Sequence, residues 1–163
     1  MKWFQIALRK YAVFSGRAGR KEYWMFLLFY IIFDFIAIVL DYMLNGFYYI
    51  DSQKFGYIVT LYQIIFLLPC LSAGTRRLHD IGKSGALVFF STAFGFLFSF
   101  AIIPLNVSSQ IDNIDIRSIA IVLVFSLIYC VFAIWLLVLL CRDGDAGENK
   151  YGPDPKQVDI QTP

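Results

Sequence analysis

Charged side chains are scarce in this chain of 163 residues: Asp, Glu, Lys and Arg make up 16% of it, against about a quarter of an ordinary soluble domain. Histidine occurs once and cysteine three times, without a C-x-x-C pair or the Cys/His spacing of a zinc site. The net charge of +2 is too small to favour nucleic acid as a partner. The sequence therefore predicts no metal, no cofactor and no nucleic-acid partner.

Hydrophobic residues make up 59% of the chain and are concentrated in four long segments. Each segment is long enough for the ~20 residues with which a helix crosses ~30 Å of hydrocarbon. We therefore predict an all-α integral membrane protein, a four-transmembrane-helix bundle that forms a single membrane domain over residues 1–163. The predicted transmembrane helices are residues 24–44, 55–73, 86–105 and 118–141.

Positive charge is distributed unevenly between the segments that flank these helices. If the first helix runs outward from the cytoplasm, Lys54 and Arg117 are the only two of the 14 Lys and Arg residues on the outer side. Short loops rich in Lys and Arg stay in the cytoplasm. We therefore expect both termini, residues 1–23 and 142–163, to be cytoplasmic and attracted to anionic lipid headgroups.

The N-terminal residues 1–13 have the pattern of an amphipathic helix. An apolar stripe recurs at helical spacing, and most of the basic residues lie away from it; the stripe comprises Trp3, Phe4, Ala7, Leu8 and Tyr11. Such a helix lies in the membrane interface, with its rings toward the hydrocarbon and its ammonium groups among the headgroups. We therefore predict an interfacial helix before the bundle.

Two carboxylates lie within the first predicted transmembrane helix. Asp34 is about 15 Å inside its start, and Asp41 follows seven residues later on almost the same helical face. A charge at mid-membrane costs about 2.5–3.5 kcal/mol, so Asp34 is protonated, paired or hydrated. One interpretation is an intramembrane polar track for a proton or cation. The other is a protonated Asp34 bonded to one of these polar neighbours: Tyr62, Gln63, Ser99 or Tyr129.

Small residues recur at every fourth position of the third predicted transmembrane helix, at Ser91, Gly95 and Ser99. This small-x-x-x-small pattern lets a second helix approach closely. The pattern therefore predicts tight packing, either within the chain or through self-association or a membrane-protein partner.

The loop at residues 74–85 holds the only histidine and the densest polar chemistry of the chain. Gly82-Lys83-Ser84 is similar to the end of a nucleotide-binding P-loop, but Arg77 occupies the position of its leading glycine. An enzyme centred on His79 is the weakest hypothesis, because the adjacent Asp80 diverges by about 100° on a helix and no nucleophile is placed beside it.

Three separated segments carry a family resemblance: residues 11–24 (YAVFSGRAGRKEYW), 76–85 (RRLHDIGKSG) and 147–153 (GENKYGP). In this order they resemble the bacterial family known as domain of unknown function 805, over nearly the whole chain. The family usually has Trp after the Lys-Ser-Gly or Arg-Ser-Gly turn, where this chain has Ala86. The resemblance implies a small multi-pass protein of the bacterial inner (plasma) membrane without an established activity.

We predict a non-enzymatic protein whose basic cytoplasmic face binds anionic lipid or a protein partner. The predicted recognition face combines residues from all three segments: Arg17, Arg20, Glu22, Arg76, Arg77, His79, Asp80, Lys83 and Asn149. The alternative is a small proton or cation transporter, or a channel component, that uses Asp34 and Asp41. An enzyme centred on His79 is the third hypothesis.

Overall fold

The computed structural model describes residues 2–50, 53–107 and 116–156, and the side chains of residues 2, 50, 53, 98–107, 116, 118 and 119 lie outside this description. Helices dominate: α1 (Lys2–Arg9), α2 (Arg20–Leu44), α3 (Tyr57–Asp80), α4 (Ala86–Val107) and α5 (Ile116–Cys141). The strands β1 (Phe47–Ile50) and β2 (Gln53–Gly56) form an antiparallel hairpin between α2 and α3.

Among the described residues, three helical segments are long and apolar enough to cross a membrane: α2, α3 and Ala120–Cys141 of α5. In α4 the apolar segment Ala86–Leu97 is shorter, and the helix itself continues to Val107. Large apolar side chains point away from the protein on these helices, and Phe35 of α2 is 65% exposed. Such extensive apolar surface is typical of helices surrounded by lipid rather than water.

The helix boundaries differ from the predicted ones where polar residues continue a helix. α2 begins at Arg20, before the predicted transmembrane segment 24–44, and α3 ends at Asp80, beyond the predicted segment 55–73. Hydropathy does not detect these extensions because they are charged, although several of their side chains are buried. At its other end α3 begins at Tyr57, because Phe55 belongs to β2.

The hairpin covers most of the segment between the first two predicted transmembrane helices, together with the first two residues of the second, Phe55 and Gly56. Its register pairs Phe47 with Gly56 and Tyr48 with Phe55. Aromatic and β-branched residues favour extended structure, and β1 consists of three aromatic residues and an isoleucine. The ammonium group of Lys54 lies 3.6 Å from the ring centroid of Phe47, a cation–π contact between the two strands of the hairpin.

The N-terminal helix α1 packs along α2 and α3 through its apolar side. The ring of Phe4 lies 5.3 Å from that of Phe29 and 5.7 Å from that of Phe33, measured between centroids. Ala7 is buried against the same helices. The helix ends at Arg9 and is therefore shorter than the predicted segment 1–13.

A cavity of about 590 Å³ lies between α2, α3, α4 and α5. At one end of the bundle, the start of α2 meets the last turns of α3, the end of α5 and the tail that follows α5. We call this region the polar end, and it comprises residues 16–22, 75–85 and 142–156.

Candidate functional site

Arg17 connects all three segments of the polar end. Its Nε donates to Oδ1 of Asp80 at 3.0 Å, and its Nη atoms donate to the carbonyl oxygens of Gly147 at 2.5 Å and Asp145 at 2.6 Å. Only 1% of its side chain is exposed. Because a guanidinium carries five donors in a fixed geometry, this one buried arginine fixes α3 and the tail relative to the segment before α2.

Asp80 accepts from a second arginine as well. Nη1 of Arg77 lies 2.6 Å from Oδ2 of Asp80, and both side chains are buried. Nε of Arg77 donates to the carbonyl of Leu140 at 2.9 Å, and its Nη2 donates to the carbonyl of Arg142. Buried charges require such partners because they are removed from water. Arg77 therefore ties the end of α5 to α3.

Arg76 forms a separate buried ion pair with Glu22 of α2. The pair uses Nη1 of the guanidinium, whereas Nε and Nη2 have no hydrogen-bond partner among the described residues. The carbonyl oxygen of Arg76 accepts from the backbone N–H of Ala18 at 3.0 Å. Arg76 thus fixes the start of α2 against α3.

His79 and Asn149 hold the tail against the last turn of α3. The ring of His79 stacks on that of Tyr151, with centroids 3.8 Å apart and planes 4° from parallel. Nδ1 of His79 lies 3.2 Å from the carbonyl oxygen of Gly16. Nδ2 of Asn149 donates to the carbonyl of His79 at 3.0 Å. These contacts position backbone segments, and no group of residues that could hold a metal ion is found in the described part of the chain.

A cleft of about 370 Å³ opens at the polar end, beside the N-terminus of α2. It is lined by Trp3, Gly19, Arg20, Lys21, Glu22, Asp80, Gly144, Pro155 and Lys156. Its two carboxylates are already paired with the buried arginines. Its three basic side chains are exposed. The cleft therefore presents positive charge to solvent.

The N-terminus of α2 adds to this positive character. Gly19 is the N-cap residue and has no side chain that could accept from the first backbone N–H groups of the helix. Arg20 and Lys21 follow it directly. Helix N-termini favour anions because these N–H groups and the helix dipole point toward them.

The residues of the predicted recognition face fall into different environments. The buried ones are Arg17, Glu22, Arg76, Arg77 and Asp80, whereas His79 and Asn149 are half-buried. Arg20 and Lys83 are exposed, and only Arg20 of these two lines the cleft. Lys83 lies in the turn between α3 and α4. The structure thus brings the three sequence segments together, but mostly through contacts with one another.

Sequence reasoning missed several residues of the cleft. Lys21 could have been included, since it follows Arg20 in the same basic cluster before the first apolar segment. Trp3 and Lys156 carry no comparable signal, because their positions depend on how α1 and the tail pack. Asp143 was also missed, although its carboxylate contacts two of the basic side chains of the cleft.

Asp34 and Asp41 both bond to α3. The carboxylate oxygens of Asp41 accept from the backbone N–H groups of Ile58 at 3.0 Å and Val59 at 2.9 Å, so this buried side chain caps the N-terminus of α3. Oδ1 of Asp34 accepts from Nε2 of Gln63 at 3.4 Å. The two carboxylates therefore join α2 to α3 at two levels.

The small residues of α4 face two different environments. A Cβ atom on Gly95 would lie 3.2 Å from the Tyr129 hydroxyl of α5, so the close approach at this position is within the chain. Ser91 lines the cavity between the helices. The side chain of Ser99 lies outside the described residues.

Residues 11–153 match the family described as "Protein of unknown function (DUF805)". Inner membrane protein YhaH of Escherichia coli (strain K12) is 35% identical over 160 residues, which cover 96% of this chain and 98% of that protein. Inner membrane protein YhaI of the same strain is 33% identical over 158 residues, covering 96% and 97%. Uncharacterized protein YiiR is 26% identical over 147 residues, covering 89% and 87%. No solved structure matches the chain.

Proposed function

Since the chain belongs to the DUF805 family and is similar to inner membrane proteins of Escherichia coli, we propose that it binds anionic lipid headgroups at the inner face of such a membrane without catalysing a reaction. In this proposal α2 to α5 cross the membrane four times, and the polar end and both termini are cytoplasmic. The distribution of charge supports this orientation, since Lys54 and Arg117 are the only basic residues predicted on the outer side.

The cleft at the N-terminus of α2 is the observation that carries the proposal. Arg20, Lys21 and Lys156 line it together with Trp3. A phosphate group is one of the anions that basic side chains and helix N-termini bind readily. Tryptophan favours the membrane interface, where headgroups lie. The chemistry of the cleft thus fits a headgroup that carries net negative charge.

The exposure of the basic side chains makes them available to such a ligand. In Arg20 and Lys156, 47% and 66% of the side chain is exposed, whereas Arg17, Arg76 and Arg77 are used inside the protein. A basic residue near an anionic membrane surface gains about 1 kcal/mol. Recognition therefore depends on the cleft rather than on the whole set of charged residues at the polar end.

The transport hypothesis has less support. Asp41 is used as the cap of α3 and Asp34 bonds to Gln63, so each carboxylate has a structural partner. The hypothesis of an enzyme centred on His79 has less support as well, because the half-buried ring is stacked on Tyr151 and its Nδ1 lies within hydrogen-bonding distance of a backbone carbonyl.

The proposal can be tested with purified full-length protein in a neutral detergent. Short-chain phosphatidylglycerol is added, and the melting temperature is measured, since a ligand that binds the folded state raises it. Short-chain phosphatidylcholine serves as the zwitterionic control. We expect phosphatidylglycerol to stabilise the protein more strongly.

Two variants assign that effect to the cleft. We expect Arg20→Gln to weaken the binding of phosphatidylglycerol by roughly fivefold, which corresponds to about 1 kcal/mol. Lys83→Gln removes the same charge from the polar end outside the cleft and is expected to bind as the wild type does. Equal stabilisation by both lipids, or equal weakening in both variants, contradicts the proposal.

A further inference from the structure

The tail places a carboxylate directly against the basic side chains of the cleft. Oδ1 of Asp143 lies 2.6 Å from Nη2 of Arg20 and 3.9 Å from Nζ of Lys156. The Asp143 side chain is itself 68% exposed. Two of the three basic side chains that line the cleft therefore contact an anion that belongs to the protein itself.

The position of Asp143 is set by the backbone on both sides of it. The carbonyl of Arg142 accepts from Arg77, and the carbonyl of Asp145 accepts from Arg17. Both arginines are buried. Asp143 is thereby held beside the cleft whether or not its own carboxylate is paired, so it can release Arg20 without detaching the tail.

We infer that Asp143 is an internal counter-ion of the cleft, and that an anionic phosphate group displaces it from Arg20 and Lys156 on binding. This inference rests on the proposed function and names what regulates that site. A phosphate can replace a carboxylate because both present oxygens that accept from guanidinium and ammonium groups. Displacement is feasible because ion pairs between exposed side chains are weak.

Replacement of Asp143 is expected to strengthen the binding of phosphate groups, although it removes a contact within the cleft. In Asp143→Asn the ligand no longer competes with a carboxylate for Arg20 and Lys156. If Asp143 instead positions Arg20 for the ligand, the same substitution weakens binding. The sign of the change therefore separates the two roles.

The control variant is Glu148→Gln in the same tail. Glu148 is exposed, carries the same charge, and forms no ion pair with any other residue that the structure describes. We expect Asp143→Asn to bind short-chain phosphatidylglycerol roughly two- to fivefold more tightly than the wild type, and Glu148→Gln to bind it like the wild type. Asp143→Glu keeps a carboxylate and is expected to restore the wild-type affinity.

Inorganic phosphate is titrated in parallel to distinguish the source of the phosphate group. If Asp143→Asn binds both phosphatidylglycerol and inorganic phosphate more tightly, the displacement holds and phosphate alone is sufficient as the ligand. If it binds only phosphatidylglycerol more tightly, the displacement holds and the lipid part is needed. The inference is overturned if Asp143→Asn binds phosphatidylglycerol and inorganic phosphate as tightly as the wild type or more weakly. It is also overturned if Glu148→Gln strengthens binding equally, since any loss of negative charge from the tail would then have the same effect.

The experiment separates this inference from the proposed function. If wild type and Arg20→Gln bind phosphatidylglycerol equally, the proposed function fails. If Arg20→Gln binds more weakly but Asp143→Asn does not bind more tightly, only the counter-ion role of Asp143 fails. Melting temperatures without lipid are compared to confirm that the variants are folded.

Discussion

Arg17 and Asp80 form an ion pair in the interior of the polar end, with Nη2 and Oδ1 3.0 Å apart and no more than 5% of either side chain exposed. The two residues are 63 positions apart in the chain. Asp80 also accepts from Arg77, and Arg17 also holds the tail. One carboxylate and two guanidiniums thus link segments that are distant in sequence.

We expect replacement of Arg17 to release the tail. In Arg17→Gln, Asp80 keeps only Arg77 as a partner, and the tail carbonyls lose the guanidinium group that binds them. The free energy of unfolding should therefore fall by roughly 3–5 kcal/mol, as it does when a buried ion pair is broken. Limited proteolysis checks this, because the tail should be cleaved faster than in the wild type. Lys156→Gln, at an exposed tail residue, is the control. Equal cleavage in both variants would contradict the role of Arg17.

Replacing one partner of the Arg76–Glu22 ion pair should lower the stability of the protein more than replacing both partners. In Glu22→Gln the buried guanidinium loses its counter-charge, so stability should fall by about 3–5 kcal/mol. The double variant Glu22→Gln with Arg76→Met removes both charges and should be less destabilised than the single one. Chemical unfolding of the wild type, both single variants and the double variant gives the coupling energy. Additive losses would indicate that the two side chains do not interact.

Asp41 should contribute to stability as a helix cap. Asp41→Ala removes the acceptor for the N–H groups of Ile58 and Val59, so we expect a loss of about 0.5–2 kcal/mol. Asp41→Asn keeps one acceptor oxygen and should be less destabilised. Thermal unfolding in detergent measures both effects. A destabilised Asp41→Asn with an unaffected Asp41→Ala would exclude the capping role.

Asp34 should not be needed for ion movement. Because Asp34 bonds to Gln63, we expect purified protein with Asp34→Asn to give the same proton flux in vesicles as the wild type. Vesicles without protein provide the baseline. Flux that exceeds this baseline in the wild type and disappears in Asp34→Asn would favour the transport hypothesis instead.

Gly144 should be required for the packing of the tail. A Cβ atom at this position would lie 2.2 Å from Oδ2 of Asp80, closer than atoms can approach. Gly144→Ala therefore has to displace the buried carboxylate or the tail, and we expect a loss of about 1–3 kcal/mol. Gly19→Ala is the control, because the nearest atom to its Cβ is 3.7 Å away. The free energy of unfolding in denaturant compares the two.

Hydropathy predicts the membrane helices because their side chains follow a simple rule, apolar residues toward lipid. Hydropathy does not detect the polar end, where α3 continues beyond the predicted transmembrane segment and includes the fully buried Arg77. The burial of Arg77 depends on carbonyl oxygens of Leu140 and Arg142, which are distant in sequence. The hairpin was missed because Phe47 falls in the short segment between two predicted helices and Phe55 in the apolar run that predicts the second of them.

The candidate site was only partly predictable for the same reason. The clusters around Arg20 and Arg76 are visible as charge in the sequence. Which of them is buried depends on pairing with Glu22, Asp80 and the tail. Periodicity in a single segment carries no information about these pairings, so the sequence could identify the polar end but could not locate the cleft within it.

The attachment of the tail to Arg17 sets an order for biosynthesis. A ribosome makes Arg17 and Asp80 well before the carbonyl groups of Asp145, Gly147 and Gly152, which accept hydrogen bonds from Arg17. Until those residues emerge, a guanidinium that is buried in the folded protein lacks its acceptors in the tail. The closure of this end of the bundle around Arg17 therefore has to follow the translation of the tail.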